Sequence, residues 1–313
     1  MYQGIQYIGV ELITEKTYGL KEEKDDISYR CEIVQDIINK TLMSGNATND
    51  PNILKIVVFP EFLFRGSIGA YTMESVSEIV GKLRDMVHKP QFENWLFVFG
   101  TIVGYSKNEK DSKKPYETYN FSFIQKGNCG EENSYVVLKK NKSAIDFERN
   151  PTKPYITVWN SEYLKPSKLK NIKGEQQILN YDGNSIINVD GLKIGIEICM
   201  DNLLNRINPL VRDNKNLDVH ILVSCGIAKE DMKNYGKLHR NGVFILCDGQ
   251  EGEAQIYVNR NRQLPTHTVI EYEPKNTQMF NNMFYAKSTN IIVFEPTLVL
   301  ELEKGKDKDC RMM

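Results

Sequence analysis

The segment Gly191–Asn202 reads GLKIGIEICMDN, an apolar strand that ends at a cysteine. Small and branched apolar residues alternate along it, which is the pattern of a buried β-strand. Cys199 closes the apolar run, and Asp201 follows two residues later. A cysteine in such a place is more often a small core residue than a reactive group. The second interpretation is that the strand holds a nucleophilic thiol rigidly at its tip.

The composition is that of a globular protein without a strong charge. Of 313 residues, 41% are hydrophobic and 26% are charged, and the formal net charge is −1. This balance gives no field that would attract nucleic acid or an anionic membrane surface. No apolar run reaches the length of a bilayer, and the amino-terminal segment lacks the basic and apolar regions of a signal peptide. We therefore expect a cytoplasmic protein with neither a nucleic-acid nor a membrane partner.

The cysteines are scattered, without a CxxC pair, at positions 31, 129, 199, 225, 247 and 310. Such spacing indicates free thiols in a reducing compartment, not a disulfide framework or a zinc site. The four histidines are far apart in the sequence, and no glycine-rich loop has the spacing of a phosphate- or dinucleotide-binding motif. The sequence therefore predicts neither a metal nor a cofactor.

Strand-like and helix-like segments alternate early in the chain, and hairpins follow. The segment Ile5–Ile13 is predicted as the first strand, and apolar residues at helical spacing predict helices over Ile27–Met43 and Thr72–His88. Turn residues predict hairpins across Gly127–Gly130 and Asp190–Gly191. Strand–helix–strand units imply parallel strands and hairpins imply antiparallel ones, so we expect mixed sheets with helices outside them.

Three apolar strands end in reactive or charged residues. KIVVFPE ends in Glu61, SYVVLKK ends in Lys139 and Lys140, and KIGIEIC ends in Cys199. A thiol with an unperturbed pKa of about 8.5 is mostly protonated at neutral pH, so its attack on a carbonyl needs a base. A carboxylate beside a thiolate is unfavourable unless a cation offsets the doubled negative charge. Each ending alone is usually structural, but a carboxylate, an ammonium and a thiol at one sheet edge predict cysteine-dependent hydrolysis.

These motifs together resemble the nitrilase superfamily of carbon–nitrogen hydrolases. FPE at residues 59–61, the basic pair at 139–140 and GIEICMD at 195–201 occur in the order found in that family, and the match extends over most of the chain. The resemblance implies an α/β fold, an α-β-β-α sandwich of two mixed sheets flanked by helices. It also implies assembly into homodimers or larger homo-oligomers, with no cofactor.

The resemblance assigns roles to individual residues. Glu61 matches the general base, Cys199 the nucleophile, and Lys140 the lysine that stabilises the oxyanion. Lys139 or Lys142 takes the place of Lys140 if the strand register differs.

Three further residues are predicted to support this set. Glu148, eight residues after Lys140, matches a second glutamate of the aliphatic-amidase branch, and it fits a solvated loop equally well. The backbone N–H of Met200 is predicted to bind the oxyanion beside the lysine. Asp201 is predicted to bond backbone N–H groups and to fix the turn at the thiol.

The residues around the nucleophile favour an amide or ureido substrate. Cys199-Met200-Asp201 is closer to the Cys-x-Asp of amidases and carbamoylases than to the Cys-Trp-Glu of true nitrilases. The expected reaction passes through a thioester and releases ammonia or an amine. Nitrile hydrolysis and acyl transfer to an amine stay open as alternatives on the same site. A catalytically silent member that acts as a binding or scaffold protein is the alternative from another class.

No internal repeat and no linker-like composition divides the chain, which predicts a single domain over residues 1–313. The distance from Lys140 to Cys199 is longer than the family pattern implies, so an insertion is predicted at 150–180. Its aromatic residues suit either a roof over a pocket or a contact between subunits. A polar tail is predicted from about residue 304.

Overall fold

The structure is a computed structural model that describes residues 2–15, 19–107, 116–143, 157–159, 185–211, 216–227, 238–259 and 265–299. Within these ranges the chain forms two mixed β-sheets that pack face to face, with helices on the outer face of the first sheet. This confirms the predicted α/β class with two mixed sheets flanked by helices. Glu148, the segment 150–180 apart from 157–159, and the tail from about residue 304 lie outside the described residues.

The described strands belong to two sheets. In chain order they are β1 (Gly4–Glu11), β2 (Ile53–Val58), β3 (Tyr71–Thr72), β4 (Trp95–Val98), β5 (Ile102–Lys107), β6 (Tyr116–Lys126), β7 (Ser134–Leu138), β8 (Thr157–Trp159), β9 (Ile186–Val189), β10 (Leu192–Ile198), β11 (Leu217–Ser224), β12 (Leu238–Asp248), β13 (Glu253–Val258), β14 (His267–Tyr272), β15 (Thr289–Phe294) and β16 (Thr297–Leu298). The first sheet has the order β14-β15-β1-β2-β4-β6-β5-β3, with β16 beside β1, and with β7 and β8 beside β6. The second has the order β13-β12-β11-β10-β9.

Both sheets mix parallel and antiparallel neighbours. Strands β1, β2 and β4 are parallel, as are β10, β11 and β12. Strands β6 and β7 form the antiparallel hairpin predicted across Gly127–Gly130, and β9 and β10 form the one predicted across Asp190–Gly191. The turn residues in the sequence thus predict both hairpins correctly.

The α-helices of the described ranges are α1 (Glu23–Met43), α2 (Met73–Val87), α3 (Met200–Leu203) and α4 (Thr277–Phe284). The first two confirm the predicted helices. Helix α1 begins at Glu23, before the predicted start, because acidic residues in the first turn suit the positive end of the helix dipole. Thr72 caps α2, since its side-chain oxygen accepts a hydrogen bond from the N–H of Ser75 at 3.2 Å. None of these helices combines the length and the apolar character needed to cross a membrane.

Two apolar layers hold these elements together. One lies between the first sheet and helices α1, α2 and α4, and includes Val57 and Phe97. The other lies between the two sheets and includes Ile56, Ile196 and Ile221. Neighbouring residues of one strand, such as Ile56 and Val57, belong to different layers because side chains alternate across a strand. The central strands β1, β2 and β4 are therefore buried on both faces, which explains their nearly continuous apolar sequences.

The outer face of the second sheet carries shorter helical elements in the described ranges. Helix α3 follows β10, and a single helical turn covers Asn208–Leu210. Ile207 and Val211, which flank that turn, pack on Leu217 of β11. These contacts fix the chain that follows the thiol against the outer face of its own sheet.

Candidate active site

Two sheets meet at the carboxyl end of β11. Glu61 follows β2 of the first sheet, and its N–H donates to the carbonyl oxygen of Ser224 at 3.3 Å. Cys199 follows β10 of the second sheet, and its N–H donates to the carbonyl oxygen of Val223 at 3.0 Å. Two consecutive peptide groups of β11 therefore hold the carboxylate-bearing and the thiol-bearing segments side by side.

The backbone of Cys199 is strained. It has φ +46° and ψ −111°, which non-glycine residues rarely adopt. Such a conformation persists only where its surroundings fix it, and it is common at functional turns. The residue is 4% exposed, and its Sγ lies 4.0 Å from the carbonyl oxygen of Cys225. Helix α3 begins at Met200, and the N–H of Asn202 donates to the carbonyl oxygen of Cys199 at 2.9 Å, so the chain turns sharply at the thiol.

A buried ion pair joins Glu61 to Lys139. The Nζ of Lys139 lies 2.8 Å from Oε1 of Glu61, and neither side chain is exposed. Asn120 of β6 contacts both partners: its Nδ2 donates to Oε1 of Glu61 at 2.9 Å, and its carbonyl oxygen accepts from the N–H of Lys139 at 2.8 Å. The same Nζ lies 3.5 Å from Oγ of Ser143. Because desolvating two charges is costly, the burial of this pair is weak evidence that it stabilises the fold.

The lysine that meets Glu61 is Lys139 and not the predicted Lys140. Side chains of β7 alternate between the two faces of the first sheet. Val137 lies in the core between the sheets, and Lys139, two residues later, continues on that face. Lys140 is exposed, and so is Lys142. Strand register thus places Lys139, one of the alternatives that the sequence left open, beside Glu61.

Asp201 accepts hydrogen bonds from backbone N–H groups, but these belong to the lysine segment instead of the turn at the thiol. Its carboxylate accepts from the N–H of Lys140 at 2.9 Å, and from the N–H and Nδ2 of Asn141 at 2.7 and 2.8 Å. Nη1 of Arg206 lies 2.8 Å from Oδ2 of Asp201 and donates to the carbonyl oxygen of Leu138 at 2.6 Å. Burial raises the pKa of Asp201, and Arg206 and the backbone donors oppose that effect.

A second buried polar cluster lies beneath the turn. The carboxylate of Glu197, in β10, accepts from Nδ2 of Asn202 and from the N–H of Ile207, both at 2.8 Å. It also lies 3.0 Å from Nε2 of His220, and both of these side chains are fully buried. Two points of the segment that follows Cys199 are thereby tied back to the strand that precedes it, which restrains the thiol.

Cys225 lies beside the same site, and its carbonyl oxygen is 4.0 Å from Sγ of Cys199. Burial raises the pKa of its thiol well above the usual value, and the charges of Glu61 and Asp248 add to that effect. Arg65 opposes it. Cys225 therefore remains a neutral thiol at neutral pH, and a neutral thiol is a poor nucleophile.

Sequence reasoning does not identify three residues of this site: Asn120, Ser143 and Arg206. Asn120 leaves a signal, since it is an amide within the apolar run YNFSF and a buried amide needs a partner. No pattern in the sequence marks Arg206, because its contact with the carbonyl oxygen of Leu138 exists only in the folded chain. Within the described ranges, no group of three or more His, Cys, Asp or Glu side chains is placed to hold a metal ion.

No family model and no curated protein matches the chain. Solved structures match it at low identity. The NitN amidase from Nesterenkonia sp. AN1 is 8% identical with a TM-score of 0.47, over 94% of this chain and 92% of that one. A variant of the Nesterenkonia AN1 amidase, described as from the nitrilase superfamily, is 8% identical with a TM-score of 0.43, over 96% and 92%. A carbon–nitrogen hydrolase from Helicobacter pylori G27 is 11% identical with a TM-score of 0.40, over 81% and 79%.

These matched structures are of the family that the sequence motifs resemble. Similarity at this level of identity and TM-score carries no argument about activity.

Proposed function

We propose that this protein hydrolyses a non-peptide carbon–nitrogen bond of a small amide or ureido compound, with Cys199 as the nucleophile. The observation that carries the proposal is the fully buried pair of Glu61 and Lys139, next to a thiol on a strained turn. The backbones of Glu61 and Cys199 bond consecutive residues of β11, so base and nucleophile approach each other from opposite sheets. A fold that only packs a core has no need for this arrangement.

The first half of the reaction forms a thioester. Glu61 takes the proton of the Cys199 thiol while sulfur attacks the carbonyl carbon, and the carbonyl π electrons move onto oxygen. The Lys139 ammonium and the N–H of Met200 stabilise that oxyanion. When the intermediate collapses, the carbon–nitrogen bond breaks, and protonated Glu61 gives its proton to the departing nitrogen, which leaves as ammonia or an amine.

The second half releases the acid. Glu61 removes a proton from water as the water oxygen attacks the thioester carbon, and the carbon–sulfur bond then breaks. The proton held by Glu61 returns to sulfur. Lys139 is needed throughout because a carboxylate and a thiolate at close range repel each other unless a cation offsets them. In this scheme Glu148 orients the substrate or the lysine, as the motif resemblance suggests.

Turnover of a mixed panel of small amides, ureido acids and nitriles tests the proposal, with ammonia release and intact-mass spectrometry as readouts. We expect turnover by the native protein and none by Cys199→Ala or Glu61→Gln, and an acyl adduct on Cys199. The matched control is Cys31→Ala, which removes a buried thiol of α1 outside the site. If Cys31→Ala is active and Cys199→Ala releases ammonia at the same rate, Cys199 is not the nucleophile.

The alternatives give different products on the same panel. Nitrile hydrolysis is favoured if nitriles react and amides do not, and acyl transfer is favoured if added amines capture the acyl group in preference to water. A silent binding or scaffold member gives no turnover and no adduct, while the Cys199 thiol is no more readily alkylated than that of Cys225.

Two further parts of the proposal concern the whole protein. We expect a homodimer or larger homo-oligomer, which light scattering on the purified protein measures directly. We also place the protein in the cytoplasm, where thiols stay reduced. The free thiols of Cys31, Cys129, Cys225 and Cys247 suit that compartment.

A further inference from the structure

The peptide groups on both sides of Lys139 are held by one ion pair. Asp201 accepts from the N–H of Lys140 at 2.9 Å, just after the lysine, and Arg206 donates to the carbonyl oxygen of Leu138 at 2.6 Å, just before it. The two side chains meet at 2.8 Å through Nη1 and Oδ2. The ion pair therefore holds the backbone in place on both sides of Lys139.

Asp201, Arg206 and their hydrogen bonds to the two peptide groups form a clamp, and these hydrogen bonds are stronger than those between neutral groups. Asp201 is fully buried, and all of its hydrogen bonds named above are charge-assisted, which makes them shorter and stronger than neutral ones. The Arg206 side chain is 12% exposed, so solvent screens this pair less than a surface pair. The backbone N–H of Arg206 also donates to the carbonyl oxygen of Asp201 at 3.0 Å, which closes the loop between them.

The clamp also connects the lysine to the nucleophile. Asp201 is the second residue of α3, directly after the strained turn at Cys199. A carboxylate that only stabilised this turn would bond N–H groups of the turn, whereas that of Asp201 reaches across to the segment after β7. These hydrogen bonds thus fix the position of Lys139 relative to the segment that carries the thiol.

We propose that Asp201 and Arg206 are positioning residues, which set the Lys139 ammonium against Glu61 and the oxyanion that forms at Cys199. This inference rests on the proposed function. Lysine is a long and flexible side chain, so its aim depends on a fixed backbone. Misplacement of a catalytic group by about 1 Å costs on the order of 10²-fold in rate.

A kinetic double-mutant cycle tests whether Arg206 acts through Lys139. In the native background, we expect Arg206→Met to lower kcat by on the order of 10²-fold with little change in KM. In the Lys139→Met background the same substitution should change the residual rate by less than about twofold, since the group it positions is gone. Arg206→Lys keeps a cation near Asp201 and should recover part of the loss. An equal loss in both backgrounds overturns the proposal.

A matched control separates positioning from general destabilisation. Arg84 of α2 is 16% exposed and pairs with Glu131, outside the candidate site. Arg84→Met should keep native kcat, whatever its effect on unfolding. If Arg84→Met lowers kcat as much as Arg206→Met does, the effect is one of stability and the proposal is overturned.

A second readout needs no substrate. The rate of Cys199 alkylation by iodoacetamide follows the thiolate fraction, which a nearby ammonium increases. We expect Lys139→Met and Arg206→Met to shift the midpoint of the pH–rate profile in the same upward direction, and Arg84→Met to leave it unchanged. A shift in Lys139→Met without one in Arg206→Met overturns the clamp while leaving the proposed function intact. A midpoint that moves in neither variant overturns both.

Discussion

At the scale of single residues, the identity of the lysine beside Glu61 is the first point to test. We expect Lys139→Met to lower kcat/KM by about 10²- to 10³-fold, because it removes the cation that binds the oxyanion in the proposed mechanism. Lys140→Met should stay within about threefold of native, since that side chain is exposed. Ammonia release measures both variants. A larger loss in Lys140→Met than in Lys139→Met contradicts the assignment of Lys139.

The buried ion pair of Glu61 and Lys139 also leads to a prediction about stability. Removing one partner of a buried pair leaves an uncompensated charge, so Lys139→Met should lower the free energy of unfolding by about 3–5 kcal/mol. The double variant Lys139→Met/Glu61→Gln should be more stable than Lys139→Met alone, because no unpaired charge remains. Urea denaturation measures each step. Additive losses in the double variant argue against direct coupling of the two side chains.

The residues of the site differ in how much the sequence alone can reveal. Glu61 and Cys199 are visible because each interrupts an apolar strand at its end, and the structure brings these two ends together. The choice between Lys139 and Lys140 is not visible, because a shift of one residue exchanges the faces of a strand. Arg206 is not visible either, since its contact with the carbonyl oxygen of Leu138, at the end of β7, joins segments that are far apart in the sequence.

At the scale of the elements, the turns that end the strands must keep close backbone contacts. Gly100 follows β4 with φ +54°, and a Cβ there would lie 2.0 Å from the carbonyl oxygen of Pro60. Gly100→Ala should therefore displace the Pro60–Glu61 peptide and lower both stability and activity. Gly45 is the matched control, since it has φ +71° and nothing within 4 Å of a Cβ.

The comparison of the two glycine variants separates conformational strain from steric overlap. Gly45→Ala should cost about 1–2 kcal/mol of unfolding free energy from the left-handed backbone alone, with activity unchanged. Gly100→Ala should cost clearly more and should reduce ammonia release. Equal costs in the two variants contradict a close contact between Gly100 and Pro60.

The elements themselves were largely predictable, whereas their arrangement was not. Local signals are enough for helices α1 and α2 and for the hairpins β6–β7 and β9–β10, since periodicity and turn residues are properties of short segments. The order β14-β15-β1-β2-β4-β6-β5-β3 is set by pairings between distant segments, such as β1 with β15. Such pairings depend on the whole core and leave no local pattern in the sequence.

At the scale of the whole molecule, buried thiols and phenols make stability depend on alkaline pH. Burial raises the pKa of Cys31 to about 12, and it raises those of Tyr7 and Cys225 well above their usual values. In the unfolded chain a cysteine ionises near a pKa of about 8.5. The folded state therefore holds these protons more tightly. Their stabilising contribution is full below the unfolded pKa and is lost as the pH rises toward the folded one.

We therefore expect the free energy of unfolding to be nearly constant from pH 7 to 8 and to fall above about pH 9. The slope contributed by each such group is about 1.4 kcal/mol per pH unit between its unfolded and folded pKa values. Urea denaturation at intervals from pH 7 to 10.5 measures the slope, and Cys31→Ala is the control. That variant loses some stability at every pH. Its free energy of unfolding should fall less steeply above about pH 9, by about 1.4 kcal/mol per pH unit, because one ionising thiol is missing. An unchanged slope in Cys31→Ala would mean that Cys31 ionises equally easily in both states, which its burial between α1 and the first sheet opposes.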